Sequence, residues 1–264
     1  MAEARSLDRR WHARQVREKS ESIAESVRPS RAGQRLGPVV LDELKERLLA
    51  GRYPSGSRIS IEEVKAEFGV SKQPVMDAMR RLEATGIVEI VPQSGCRVAQ
   101  YSPQETRDFF HLFGRFEGEI AAAAAARRSD AQLTDLDDAW QRIADLERLH
   151  DPEERSRAYR FRNREYHEVI HLMSHSRVMA ELSGRMWDLS DFLVTTIGGV
   201  QQLSDSVHIR NEDHDVIRTA IRSQNPDVAR AAMESHIVGT VAFSAMVDAP
   251  SRQWLDPGGL IRLE

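Results

Sequence analysis

The chain has 264 residues, which exceeds a typical single domain, and its 41% hydrophobic content is enough to build two cores. No run approaches the roughly 20 apolar residues of a membrane span, and the N-terminus lacks the apolar core of a signal peptide, which predicts a cytoplasmic protein. The single cysteine, Cys96, excludes an intramolecular disulfide framework.

The charge is unevenly divided along the chain. Residues 1–100 carry 18 Lys or Arg against 14 Asp or Glu, a net of +4, whereas the remainder carries 19 against 27, a net of −8. A basic N-terminal part followed by an acidic C-terminal part is typical of a regulator with one nucleic-acid-binding domain.

Residues 1–37 hold nine Lys or Arg and few large apolar groups. Four arginines lie close together: Arg9, Arg10, Arg14 and Arg17. This composition predicts a flexible or partly helical basic arm. Two roles stay open, namely contact with a DNA backbone and a solvated tail that contacts nothing.

Helical periodicity begins after this arm. Apolar residues at a spacing of 3.6 predict a first helix from Pro38 to Gly51. Ser60 and Glu63 have the spacing of a capping box and therefore predict the start of a second helix, which stops at Gly69.

A third helix and a hairpin follow. The helix opens at Ser71, with a proline in its first turn, and ends before Gly86. Two short apolar runs, residues 87–91 and 96–99, flank the turn formed by residues 92–95 and predict a hairpin. Helix, turn, helix and hairpin is the order of a winged helix-turn-helix, whose second helix lies in the major groove of DNA.

The polar face of this third helix carries hydroxyl, amide and ionic groups: Ser71, Lys72, Gln73, Asp77, Arg80 and Arg81. Such groups suit both phosphates and base edges. The alternative from spacing alone is a small α+β unit whose helix face is simply solvated.

Residues 38–100 resemble the DNA-binding domain of the GntR family of bacterial transcriptional regulators. The resemblance is carried by residues 69–83, by the hairpin from Gly86 to Val98, and by residues 51–59, which match the family segment G-x-x-x-x-G-x-x-L.

The resemblance implies DNA contacts at three positions. Lys72 stands where the family usually has an Arg, and Arg80 and Gly95 of the wing fall on contact positions. Met76 and Asp77 replace the usual Arg-Glu pair, so one customary contact is absent.

The second domain is predicted to be all helical. Ser102 can cap a helix that has Pro103 in its first turn. Periodic segments then recur at 104–128, 130–149, 153–175, 177–197, 205–223 and 226–247. Gly198 and Gly199 are among the predicted breaks. The predicted fold is therefore mainly α: a winged helix-turn-helix, an antiparallel helical bundle over residues 101–247, and a tail over residues 248–264.

Four residues of this bundle could bind a metal ion. Asn163 and His167 lie one helical turn apart, and His214 and His236 each lie within an apolar periodicity. Interior imidazoles are costly unless they are hydrogen-bonded or metal-bound, and three imidazoles with one oxygen suit zinc. The alternative is a set of hydrogen-bonded core histidines. Spacing also does not exclude His171 or His175 as a ligand, because both continue the i,i+4 series from His167.

The same region resembles the FCD effector domain of the FadR subfamily of GntR regulators. The matching segments are residues 163–174, 212–221 and 225–237. The resemblance implies that His167, His214 and His236 are metal ligands, and it places Asn163 where the family usually has Asp.

An amide in place of a carboxylate leaves a metal site with one more positive charge. This favours an anionic effector such as a small carboxylate. Arg115 and Arg164 are candidates for holding it, although solvation at the surface is the alternative for both.

The sequence thus predicts a transcriptional repressor that binds operator DNA as a homodimer and responds to a small metabolite. A hydrolytic zinc enzyme is one alternative, because three histidines can also activate water. A regulator with a purely structural metal is another.

Overall fold

The computed structural model describes residues 36–205 and 207–245. The predicted basic arm and C-terminal tail fall almost wholly outside the described residues. The N-terminal domain contains three helices and three short strands in chain order: α1 (Leu36–Leu49), β1 (Arg58–Ile59), α2 (Ile61–Phe68), α3 (Lys72–Glu83), β2 (Val88–Val91) and β3 (Gly95–Val98).

The three strands form an antiparallel sheet in the order β1-β3-β2. The pair β2 and β3 is the predicted hairpin, with Val88 opposite Val98 and Val91 opposite Gly95. Strand β1 was not predicted from periodicity, because two residues are too short to show any alternation. It pairs Arg58 with Arg97 and so adds a third strand to the wing.

Helix α3 is held against α1 by its apolar face. Val75, Met79 and Leu82 of α3 are fully buried, as are Leu44 and Leu48 of α1. The first helix therefore packs behind the third. The polar face of α3 is therefore turned to solvent on the opposite side.

The C-terminal domain is all helical over its described residues. Its helices are α4 (Pro103–Arg127), α5 (Asp130–Ala144), α6 (Pro152–Met173), α7 (Arg177–Asp205), α8 (Val207–Arg222) and α9 (Pro226–Ala245), with a 3-10 turn at Asp145–Arg148. Ser102 and Glu105 form a full capping box at the start of α4. The predicted fold class is confirmed. None of the described helices is both long and apolar enough to cross a membrane.

One predicted break is wrong. Helix α7 continues through Gly198 and Gly199 to Asp205. Two glycines cost a helix interior about 2 kcal/mol relative to alanine, but propensity is a weak prior that tertiary packing overrides. Trp187, Phe192 and Leu193, earlier in the same helix, are buried and hold α7 in the bundle.

Helices α4 and α9 pack closely, which brings the histidine of α9 to the bundle interior. A Cβ atom on Gly118 would lie 3.0 Å from the carbonyl oxygen of Arg230, and one on Gly114 would lie 3.2 Å from that of Glu234. Glycine at these two positions permits the close approach.

The two domains contact each other through α1, α6 and α7. Lys45 pairs with Asp188 at 2.5 Å, and Glu46 accepts a hydrogen bond from Arg160 at 2.9 Å. The backbone oxygen at the end of α1, on Leu49, accepts from the hydroxyl of Thr195 at 2.9 Å.

Candidate DNA-binding face and candidate metal centre

Five of the six predicted DNA-binding residues lie on α3 or at its N-cap, and the sixth, Gly95, is half-buried at the start of β3. Ser71, Lys72, Gln73, Arg80 and Arg81 are all exposed on α3 or at its N-cap. The hydroxyl of Ser71 makes no capping hydrogen bond. It is free for a phosphate or base at the N-terminus of the helix, where the backbone N–H groups favour an anion.

Asp77 is the acidic member of this surface and contacts two of its neighbours. It accepts a hydrogen bond from Gln73 Nε2 at 2.9 Å and pairs with Arg80 at 2.8 Å. Arg80 therefore has a partner within the helix that DNA would have to replace, whereas Lys72 extends into solvent.

Two exposed arginines of the sheet lie near Gly95 or opposite each other in the wing, and neither of them was named in the sequence analysis. Gly95 adopts a φ of 92°, which favours glycine, and a Cβ there would lie 3.5 Å from Arg58 Nη2. Arg58 and Arg97 are exposed and face each other across β1 and β3. The alternation of β3 could have predicted Arg97, because it follows buried Cys96.

Three helices bring the predicted histidines together in the C-terminal domain. His167 comes from α6, His214 from α8 and His236 from α9, and their ligand atoms lie within 4.8 Å of one another. The ring centroids of His214 and His236 are 4.4 Å apart, and those of His167 and His236 are 5.4 Å apart. His171 points elsewhere, toward Glu117.

The imidazole nitrogens of this cluster largely lack protein partners. Across the part of the chain that the structure describes, both ring nitrogens of His167 and both of His214 are buried without a hydrogen bond. Burial lowers the pKa of His167 and holds the pKa of His214 and of His236 well below the usual value. All three are therefore neutral at pH 7, which is the form that binds a metal ion.

Two carboxylates surround the cluster. Asp213 Oδ2 lies 3.2 Å from His236 Nδ1, so the other ring nitrogen of His236 is left for the cluster. Glu117 Oε2 lies 3.7 Å from His167 Nδ1, beyond hydrogen-bond range, and 3.0 Å from His171 Nε2. Burial alone would raise the pKa of Glu117, but its contacts with the two imidazoles lower it. A carboxylate beside a histidine that faces a metal site orients the ring and strengthens it as a ligand.

A cavity of about 50 Å³ opens beside the cluster. It is lined by His236, by Asn163 and by the cationic side chains of Arg160 and Arg210. The amide oxygen of Asn163 is 3.4 Å from the hydroxyl of Tyr159. Asn163 therefore lines the same cavity as His236.

Arg210 is the most buried cation of this cavity. Its Nη1 donates to the carbonyl oxygen of His236 at 2.6 Å, its Nη2 contacts Thr240, and Asp213 lies 3.6 Å away. Sequence reasoning missed it, although its position one turn before His214 on α8 was a usable signal.

Arg115 and Arg164 do not lie in this cavity. Arg115 is exposed and lies 3.7 Å from Glu234. Arg164 pairs with Asp188 at 2.6 Å and Asp191 at 3.0 Å, and it donates to the carbonyl oxygen of Gly184. Its guanidinium is engaged by the protein itself.

An exposed recognition helix beside a three-stranded wing, joined to a helical domain with an interior histidine cluster, defines the class of winged-helix transcriptional regulators. Residues 38–98 match the family of bacterial regulatory proteins called gntR, and residues 108–239 match the FCD domain. The chain belongs to the GntR family, with an FCD domain at its C-terminal side. It is therefore a DNA-binding transcriptional regulator and not an enzyme.

Named relatives are consistent with this assignment. The chain is 22% identical over 200 residues to the HTH-type transcriptional repressor GlaR of Escherichia coli K12, covering 74% of this chain and 89% of GlaR. It is 26% identical over 188 residues to the repressor RspR of the same organism, covering 69% and 77%. The solved structure of E. coli McbR/YncC shares the fold with a TM-score of 0.64 and 16% identity, covering 80% of this chain and 98% of that one.

Proposed function

We propose that this regulator is a repressor that binds its operator in the cytoplasm as a homodimer and responds to a small carboxylate bound at a zinc-containing site in the FCD domain. The observation that carries the proposal is a set of three buried, neutral imidazoles, two of which have no protein partner, beside a cavity that His236 lines together with two arginines. Buried polar atoms without partners cost about 1 to 3 kcal/mol each, so a fold that retains them has another use for them.

A divalent metal ion fits these residues. His167, His214 and His236 would be its ligands, and Asn163 would supply a fourth, oxygen ligand. Neutral imidazoles are the ligands that zinc prefers, and four ligands complete its usual tetrahedral shell. A bound metal ion would supply a positive charge that attracts an anion.

The cavity favours a small anionic ligand. Its volume corresponds to about four water molecules, since one water needs roughly 10 to 15 Å³. Arg160 and Arg210 contribute positive charge, and the negative charge of Asp191 is paired with Arg164 at 3.0 Å. A carboxylate of two to four carbon atoms matches this size and sign.

The response follows from linkage. An effector that binds one arrangement of the two domains better than another shifts the population toward that arrangement, and operator affinity changes by the difference in binding energy. A coupling of about 1 to 3 kcal/mol is enough for a 5- to 150-fold change in operator binding. Two copies would place their α3 helices in successive half-sites of the operator.

Thermal unfolding combined with DNA binding tests this proposal. Chelator-treated full-length protein is titrated with zinc and then with acetate, glycolate, lactate and malonate. Binding to DNA from upstream of its own gene is followed by fluorescence anisotropy. We expect zinc and at least one of the acids to raise the melting temperature and to change DNA affinity. If zinc stabilises the protein but no acid changes DNA affinity, the metal is structural and the effector part of the proposal is wrong.

The role of Asn163 has its own test. We expect Asn163→Asp to raise zinc affinity, since changes in and around metal centres alter affinity by about 10- to 100-fold. Asn225→Asp is the matched control, because Asn225 caps α9 through a bond to the N–H of Val228, outside the cavity. Equal zinc affinities in wild type and Asn163→Asp would show that Asn163 is not a metal ligand.

A further inference from the structure

Some of the residues that line the cavity beside the histidines also contact the N-terminal domain. Two of its lining residues, Arg160 and Thr195, each hydrogen-bond to helix α1 of that domain. Both lie on helices of the C-terminal domain, Arg160 on α6 and Thr195 on α7. A ligand in the cavity therefore touches side chains that also hold the DNA-binding domain in place.

The two terminal nitrogens of Arg160 lie in different environments. Its Nη2 donates to Glu46 at 2.9 Å, at a surface where the Glu46 side chain is 61% exposed. Its Nη1 is buried and has no hydrogen-bond partner among residues 36–205 and 207–245. The fork geometry of a guanidinium lets the two nitrogens bind two different carboxylates at once.

Thr195 shows a similar arrangement. Its hydroxyl oxygen lies 2.9 Å from the carbonyl oxygen of Leu49 and 3.0 Å from that of Asp191. One hydroxyl has a single proton, so it donates fully to only one of these two acceptors. The contact with α1 therefore competes with a contact inside α7, one turn earlier along the cavity wall.

We propose that Arg160 binds the carboxylate of the effector through Nη1 while Glu46 holds Nη2, so that effector affinity and the position of the DNA-binding domain are linked. This inference rests on the proposed function. It names Arg160 as the residue that couples the effector site to the DNA-binding domain. Glu46 acts as a positioning residue, because it lies outside the cavity and orients the arginine that lies within it. By reciprocity, an effector that needs a positioned Arg160 stabilises the docked arrangement of the two domains.

Glu46 can be removed without touching the cavity, and α1 provides a matched control. Glu46→Gln removes the negative charge that pairs with Arg160. Glu43→Gln removes the same charge one turn earlier, where Glu43 pairs with Arg47 within α1. Both glutamates are on the surface of the N-terminal domain, so neither change disturbs a core.

The experiment measures carboxylate affinity by calorimetry in the zinc-loaded, full-length protein, with acetate, glycolate, lactate and malonate as probes. We expect Glu46→Gln to weaken binding of the acid that binds wild type by about two- to fivefold, the range for an exposed ion pair. Glu43→Gln should bind as wild type does. Arg160→Gln should lose more than tenfold, because it removes the ligand contact itself.

Hydrogen exchange gives a second readout. The bound acid should slow exchange of the backbone amides of residues 47–52 in wild type and in Glu43→Gln, and should slow it less in Glu46→Gln.

Each outcome has a distinct meaning. Equal affinities in wild type, Glu46→Gln and Glu43→Gln would overturn the coupling while leaving the proposed function intact. Tighter binding by Glu46→Gln would also overturn it, since Glu46 would then be a competitor for Arg160. If none of the four acids binds wild type, the effector part of the proposed function fails, and the coupling fails with it.

Discussion

The polar groups of the two domains are satisfied in different ways. Those of α3, such as Lys72 and Arg81, are exposed to water. Those of the C-terminal cluster, His167 and His214, are buried without a partner. Water satisfies an exposed cation at no cost, whereas a buried nitrogen without a partner destabilises the fold. A buried cluster of this kind can thus be recognised as a candidate metal site from energetics, but the DNA-binding face can be recognised only from its shape and family.

The comparison also predicts where binding partners matter for stability. A ligand that satisfies buried groups adds to the free energy of unfolding by mass action. DNA on an exposed face replaces water around groups that were already solvated, so mutations there should alter affinity and leave the fold unchanged. The predictions below test both halves of this statement.

The largest effect is expected from the histidine cluster. Zinc at about 1,000 times its dissociation constant should stabilise wild type by about 4 kcal/mol, which corresponds to roughly 8 to 16 °C in melting temperature. His214→Ala should lose most of this gain, because one ligand is missing. His111→Ala, which removes an exposed imidazole of α4, should keep it. A zinc-dependent rise in melting temperature of equal size in His214→Ala would show that zinc binds somewhere other than this histidine cluster.

The pH dependence of the chelator-treated protein comes next. Burial lowers the pKa of His167, His214 and His236 in the folded state, so below the unfolded value the unfolded chain binds protons that the folded chain does not. Stability should therefore fall as pH decreases below about 6.5, by at most about 1.4 kcal/mol for each histidine between pH 7.5 and 5.5. Urea unfolding at a series of pH values measures this loss.

Other groups titrate in the same range, and a variant separates them. Burial raises the pKa of Asp191 to about 6, which acts in the opposite direction to the histidines. The double variant His214→Ala with His236→Gln should retain only the contribution of His167. An unchanged pH dependence in this variant would contradict the assignment of the loss to the cluster.

A substitution of Lys72 tests the prediction that changes on the exposed face of α3 alter DNA affinity without altering stability. We expect Lys72→Ala to weaken operator binding by about 1 to 3 kcal/mol, or 5- to 150-fold, because its ammonium group is exposed where the recognition helix begins. The melting temperature should not change. Arg177→Ala, an exposed arginine at the start of α7, should bind DNA as wild type does. If Lys72→Ala binds DNA as tightly as wild type in fluorescence anisotropy, the operator is recognised by a different surface.

The smallest effect concerns Asp77. Asp77→Asn removes a negative charge from the face and weakens the pairing with Arg80, so DNA affinity should increase by about two- to threefold, as for an exposed ion pair. The salt dependence should become steeper, because Arg80 is then free for a phosphate. Asp227→Asn, in the first turn of α9, is the control. Weaker binding by Asp77→Asn would mean that Asp77 itself contacts the operator.

Much of the local structure could be predicted from the residues themselves. The cap at Ser102, the turn before Gly95 and the period of α3 follow from local rules, and the helix positions agree with them. Strand β1 and the passage of α7 through Gly198 and Gly199 could not be predicted, because both depend on partners distant in sequence.

The candidate site divides in the same way. The sequence by itself determined the residue types, namely three histidines at apolar positions and Asn163 one turn before the first, because helical spacing places residues on faces. Only the tertiary structure decided that His171 turns toward Glu117 and that Arg164 is engaged by two aspartates. It also decided that Arg160 and Arg210 line the cavity. Helical spacing specifies the direction of a side chain around its own axis, but which helix lies opposite is set by the packing of the whole bundle.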